Sequence, residues 1–168
     1  MSPIIRPETS ADHAAIRQVN RIAFGGQDEA RLVDALREGG YVRVSLVAEE
    51  DGLVVGHILF SALTIATPQG NIEPLALAPM AVVPSHQRKG IGSSLVREGL
   101  RACREAGHRI VIVVGHPEFY PRFGFSAKRA EPLGSQYSGP AFMAVELVSN
   151  ALQGIEGEVR FPPPFNGL

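Results

Sequence analysis

The chain has 168 residues, a length that suits one compact domain and buries about 70% of the surface its unfolded form exposes. Its 16 Lys and Arg nearly cancel its 17 Asp and Glu, so no global field exists to grip nucleic acid or an anionic membrane, and any anion site must be local. A hydrophobic share of 45% excludes a disordered chain, and the single cysteine, Cys103, excludes a disulfide framework or an all-Cys zinc site.

Arg6, Glu8, Asp12 and His13 interrupt the apolar residues at the start, which does not read as a signal peptide. No apolar run approaches the ~20 residues that span a bilayer. A soluble, cytoplasmic single domain over 1–168 is expected, with a core at about 3–148 and a C-terminal strand and Pro-rich tail over 149–168. Residues 3–8 read as extended. Thr9 and Ser10 then offer a hydroxyl cap, with Asp12 placed to complete a capping box. Ala15, Ile16, Val19, Ile22 and Ala23 predict one face of a helix that Gly25-Gly26 ends. A second helix buries Leu32, Val33 and Leu36 and stops at Gly39-Gly40. Alternation from Val42 to Glu49 predicts a strand, Asp51-Gly52 a hairpin turn, and Leu53 to Ile65 a long return strand. A turn at 68–71 leads to Leu75–Val83, apolar almost throughout, as a strand buried on both faces would be. A helix over about 91–106 follows, then strands at Arg109–Val114 and Phe142–Val148.

The most informative stretch joins the central strand to that helix: Gln87-Arg88-Lys89-Gly90-Ile91-Gly92-Ser93. Amides at a helix start lack intrahelical partners, and the helix dipole makes that end positive. Gly90 and Gly92 open the backbone, and Arg88 and Lys89 add charge, so the turn is an anion cradle suited to a diphosphate. It is not a Walker loop, because Lys89 precedes the glycines, and it lacks the third glycine of a dinucleotide fingerprint.

The pattern resembles the GNAT superfamily of acyl-CoA-dependent N-acetyltransferases, whose signature is an apolar strand followed by [QR]-x-x-G-x-[GA] opening a helix. A second stretch, Tyr120-Pro121-Arg122-Phe123-Gly124-Phe125, matches the family's Y-x-[KR]-x-G-F about 30 residues further on. The preceding Gly-His-Pro-Glu-Phe segment is similar to a bacterial subgroup of these enzymes. The resemblance implies an α/β fold with a mixed, centrally splayed β-sheet flanked by helices, and acetyl-CoA as co-substrate. It implies CoA contacts from Val82, Val83, Gln87, Arg88, Lys89, Gly90, Ile91, Gly92 and Ser93. It further implies polarisation of the thioester by the backbone N–H of Val82 or its neighbour Val83, and Tyr120 as general acid towards the departing sulfur. A phenol near pKa 10 is a poor acid towards a thiolate near 8.5, so Tyr120 is either acidified locally or mainly a hydrogen-bond donor. Val114 stands where many members carry Asn, and that CoA-side hydrogen bond is not expected. Pro121 lacks an N–H, which predicts a single distorted turn starting near Pro117.

Four residues compete as the base: Glu73, His116, Glu118 and His57. Asn20, Arg21, Phe24, Asp28 and Glu29 occupy the helix junction that borders the acceptor cleft in the family, and equally suit a solvated turn. Cys103 reads as a buried core thiol, and the five histidines have no metal-ligand spacing. The acceptor is an amine on a small molecule, peptide or protein. Edge strands and an apolar tail are compatible with a homodimer. A catalytically silent CoA-binding sensor or structural module is the alternative, and a nucleotide-binding protein conflicts with both phosphate fingerprints.

Overall fold

The computed structural model describes residues 3–167. The chain divides into two compact units, the first containing residues up to Ser61, 78–99 and from Pro163 onward, the second containing 62–77 and 100–162.

The first unit starts with strand β1 (Ile4–Pro7), which pairs antiparallel with β2 (Val42–Glu50). Between them lie helices α1 (His13–Phe24) and α2 (Asp28–Glu38). A one-turn 3-10 helix at Ser10–Asp12 leads into α1, and the Thr9 N–H donates to the Asp12 carboxylate at 2.7 Å, as the capping motif predicts. Gly25, at φ 75°, ends α1. The inward stripe of α1 differs from expectation at Ile22, which is 42% exposed, whereas Asn20 is wholly buried. At about 100° per residue Asn20 lies only about 40° round the helix from Ile16, and Ile22 about 120°. Helix geometry thus brings a polar residue inward, and hydrogen bonds make that burial affordable.

Strand β2 turns at Asp51-Gly52 into β3 (Leu53–Ala62). Both turn residues have positive φ, 52° and 80°, the primed-turn geometry that matches strand twist. The long return strand foreseen to Ile65 stops at Ala62: the Leu63 N–H donates to the Pro74 carbonyl instead, and Thr64 starts a new strand in another sheet. Beside β3 runs the later part of β6 (Leu75–Val82). Helix α3 (Ile91–Glu105) opens in this unit, and a Cβ on Gly99 would fall 2.5 Å from the Phe60 ring, so α3 approaches β3 closely there.

In the second unit β6 starts parallel to β7 (Ile110–Val114), and their ladder holds two pairs, Leu75↔Val111 and Ala76↔Ile112. It ends before Pro79, which has no N–H to give. Helix α3 ends in a Schellman arrangement, with Gly107 N–H on Arg104 O and His108 N–H on Cys103 O. On its other edge β7 pairs antiparallel with β9 (Phe142–Glu146), two residues shorter than foreseen because the Leu147 N–H turns to Arg109 O. A second sheet, unforeseen from sequence, has the order β5-β4-β10-β8, built from β4 (Thr64–Thr67), β5 (Gly70–Ile72), β8 (Leu133–Gly134) and the C-terminal strand β10 (Gly157–Arg160). The short helix α4 (Ala127–Ala130) precedes β8. No helix among the described residues is long and apolar enough to cross a membrane.

Candidate active site

Strand β6 ends at Val82, and a 3-10 turn at Pro84–His86 carries the chain to the basic loop. Arg88 and Gly90 both have positive φ, 64° and 84°. The ladder of α3 starts with Ser94 N–H donating to Gly90 O at 3.0 Å, so the amides of Ile91, Gly92 and Ser93 have no intrahelical acceptor. Residues 87–90 are exposed, which puts the Arg88 and Lys89 side chains at the surface beside the positive end of α3, while Ile91 is buried and Gly92 and Ser93 are half-buried. The loop therefore has the donor set that an anion as large as diphosphate requires.

The strand end distinguishes two backbone donors that the sequence left open. The Val83 N–H donates to Val55 O of β3 at 2.9 Å. Successive amides along a strand face opposite edges, so the Val82 N–H is directed away from β3. The Val83 amide is thereby engaged by β3, and the Val82 amide faces the opposite edge of β6. The Val82 carbonyl accepts from Gln87 Nε2 at 2.8 Å.

Tyr120 belongs to the second unit. Its N–H and that of Phe119 donate to His116 O, at 3.3 and 3.1 Å, and a 3-10 turn over Tyr120–Phe123 closes at Gly124, φ 96°. This is the distorted turn that Pro121 predicts. The ring is 7% exposed and meets Phe119 and Phe125 edge-on, with centroids 5.0 and 5.6 Å away. It also lies over Gly115, where a Cβ would fall 2.4 Å from Tyr120 Cε2. Burial pushes the phenol up to about 12. Of the two states expected, burial favours the neutral phenol over the locally acidified one.

The base candidates separate by position. Glu73 is two residues before Leu75, which is level with Val111, and Gly115 lies four residues beyond Val111. Six residues of strand span about 20 Å, so Glu73 is at the far end of the β6–β7 pair from the Tyr120 turn and cannot act there directly or through one water. His116 and Glu118 are exposed in that turn itself.

His57 is overturned as a base. It is 0% exposed, and its Nδ1 accepts from Asn20 Nδ2 at 3.2 Å. The Asn20 amide is oriented by a second bond to Ile16 O, which puts the His57 proton on Nε2, 3.0 Å from Ser45 Oγ. Ser45 donates to Glu8, and Arg37 holds Glu8 through two bonds of 2.9 and 2.8 Å. Burial, then Arg37, pulls His57 down to about 3, so it is a neutral structural histidine. Asn20, tied into this chain, cannot face an acceptor. Arg21, Phe24 and Asp28 remain on the surface, and Glu29 is half-buried. No spacing in the sequence signalled this buried polar chain. Its only trace is a polar residue at position 20 within the apolar stripe. Cys103 is buried and pushed up to about 12 by desolvation, which leaves an inert thiol, as expected. Among the described residues no three His, Cys, Asp or Glu side chains cluster to hold a metal.

The loop and turn now have sequence company. A family model described as an acetyltransferase (GNAT) domain matches residues 4–127. The uncharacterized N-acetyltransferase YhbS of Escherichia coli K12 is 35% identical over 97% of this chain and 98% of its own. A second E. coli K12 protein, the uncharacterized N-acetyltransferase YjhQ, is 42% identical over 78% of this chain and 71% of its own. The crystal structure of E. coli YhbS in complex with CoA superposes with a TM-score of 0.91 at 32% identity, covering 99% of this chain and 93% of that one. A GNAT acetyltransferase from Brucella melitensis in complex with acetyl-CoA gives 0.82 at 36% identity over 97% of both chains. The chain belongs to the GNAT family of acetyltransferases and has its mixed α/β fold. It is an N-acetyltransferase by class.

Proposed function

We propose that the protein transfers an acetyl group from the acetyl-CoA thioester to a primary amine by direct attack. The observation that carries this reading is the loop after β6, where the first three amides of α3 lack intrahelical acceptors after a left-handed Gly90, with the Val82 N–H facing away from β3 at the end of the preceding strand. The relatives solved with CoA and with acetyl-CoA support the choice of guest. In this reading Arg88, Lys89, Gly90, Ile91, Gly92 and Ser93 hold the diphosphate, mainly through backbone amides, while the Gln87 N–H is engaged by Pro84 O.

The Val82 N–H then stabilises the oxyanion formed when the amine nitrogen bonds to the thioester carbon, an effect worth about 10²–10³ in rate. Collapse breaks the carbon–sulfur bond. Tyr120 donates a hydrogen bond to the departing sulfur without surrendering its proton, since transfer from a phenol near 12 to a thiolate near 8.5 is uphill by about 5 kcal/mol. The proton that sulfur finally gains balances the one the attacking nitrogen loses. His116, exposed at the Tyr120 turn, serves as base for the ammonium form of the acceptor.

The test is thermal unfolding with acetyl-CoA, CoA, ATP and NAD separately, followed by an amine panel read by thiol release. Saturation at a hundred times the dissociation constant adds about 2.7 kcal/mol. Stabilisation by both CoA species alone supports the reading, and no shift with either refutes it. Binding without thiol release from any amine would favour the silent sensor instead.

A further inference from the structure

The peptide joining Val82 to Val83 is gripped at both ends. Its N–H, on Val83, is fixed to β3 through Val55 O at 2.9 Å, and its carbonyl, on Val82, is fixed by the Gln87 side-chain amide at 2.8 Å. Because a peptide unit is planar, these two bonds set its tilt about the strand axis. The next amide back, the Val82 N–H, lies across one α-carbon, and the extended backbone of β6 relates the two units so that it faces the opposite strand edge. A glutamine side chain on an exposed loop ordinarily stays in water, since ordering it costs rotamer entropy. Here it folds back five residues to the end of the strand.

We infer that the Gln87 side chain is a positioning residue: it couples the phosphate loop to the strand end and aims the Val82 N–H at the thioester carbonyl. The Gln87 N–H is engaged by Pro84 O and its side chain by Val82 O, so this residue works at the strand end while the amides that follow it face the diphosphate. The inference rests on the proposed function and adds a residue whose effect is on polarisation, not on affinity. Loop and strand are also joined by His86 N–H on Val83 O and Gln87 N–H on Pro84 O, so losing the side-chain bond leaves the turn itself tethered.

The test needs no knowledge of the acceptor amine. Acetyl-CoA labelled with ¹³C at the thioester carbonyl is bound to saturation, and the carbonyl stretch is read by infrared difference spectroscopy. In the wild type the band moves to lower frequency on binding. In Gln87→Met, which keeps length but removes the donor, most of that displacement is lost while CoA affinity changes little. Gln87→Arg restores a donor and with it the displacement. A full displacement in Gln87→Met overturns the inference and leaves the cofactor reading standing. Loss of CoA binding in Gln87→Met, with native circular dichroism, also overturns it, because the side chain would then serve the phosphate. Wild-type protein that binds acetyl-CoA without any displacement removes the Val82 assignment, and wild type that does not bind removes the proposed function; the inference falls with either.

Discussion

Protonating His57 should destabilise the fold, and the size of the effect follows from its surroundings. The ring is enclosed by Asn20 of α1, Arg37 of α2, Ser45 of β2 and, through Ser45, Glu8 after β1. A proton added at Nδ1 would face the Asn20 amide donor at 3.2 Å. Turning that amide over would set its oxygen against the Ile16 carbonyl, exchanging one repulsion for another. Folding thus lowers the histidine from 6.5 to about 3, and between these values the unfolded chain binds the extra proton. Stability is therefore complete above about pH 6.5 and declines as pH falls, by up to about 1.4 kcal/mol per unit. From pH 6.5 to 4.5 the loss approaches about 2.7 kcal/mol, a large part of the 5–15 kcal/mol typical of a domain. The comparison is with His57→Gln, which can accept from Asn20 and donate to Ser45 without titrating. Urea unfolding is followed by far-UV circular dichroism, because the chain contains no tryptophan. The variant should be less stable at pH 7 yet show a slope about 1.4 kcal/mol per unit shallower in this window. Parallel pH profiles for the two proteins would refute the reasoning.

Gly90→Ala forces a side chain into a left-handed residue, φ 84°, and should weaken acetyl-CoA binding about tenfold by calorimetry, given the 1–2 kcal/mol that conformation costs. Gly92→Ala, whose Cβ would meet Met80 Cε at an ordinary 3.4 Å, should bind nearly as wild type; equal losses would contradict the loop geometry. Gly115→Ala places a methyl 2.4 Å from the Tyr120 ring and should cut turnover as Tyr120→Phe does, with CoA affinity retained in both. An unchanged turnover number in either variant removes Tyr120 from catalysis. Asp12 accepts two bonds from Arg6, 2.8 and 3.0 Å, and one from Thr9 N–H, which hold its carboxyl below the usual range. Asp12→Asn should cost about 2 kcal/mol at pH 7. That difference is present above the unfolded value near 3.9 and disappears as pH falls through the lower folded value; a constant difference down to pH 2 would contradict it.

What could be read in advance was what local pattern encodes. The apolar run from Leu75, the glycine-bearing loop and the α3 helix emerge within a residue or so of expectation, because burial and helix starts leave periodic marks. Pro121 likewise announces the broken turn at Tyr120. What escaped depends on partners distant in the chain. Asn20 is tolerable inside only because His57, 37 residues on, receives its proton donor. Leu63 interrupts a β-rich run because its N–H finds Pro74, and no propensity in 53–65 reveals that. Glu73 is attractive in the sequence as the carboxylate before the central strand, but a parallel pair sends its two C-terminal ends the same way, so a residue before β6 is necessarily remote from one after β7. The donor ambiguity between Val82 and Val83 is of the same kind: the residues are identical, and only the bond to Val55 distinguishes them.

The high value at Tyr120 also constrains how the proposed transfer must handle protons. The net reaction moves one proton from nitrogen to sulfur, and a phenol near 12 can assist the sulfur only while keeping its own. Its contribution is then a hydrogen bond that shortens as charge builds on the leaving group, which is a transition-state interaction and should appear in kcat more than in KM. Because burial raises the Tyr120 phenol, it should impose no alkaline limb on turnover near neutral pH. The acidic limb is left to the acceptor ammonium and the residue that deprotonates it. If that residue is His116, His116→Gln should move the acidic limb while leaving the alkaline side and the CoA affinity unaltered. An unmoved limb would mean that the acceptor reaches the site already neutral, and that the enzyme's task is polarisation by Val82 and support of the sulfur by Tyr120.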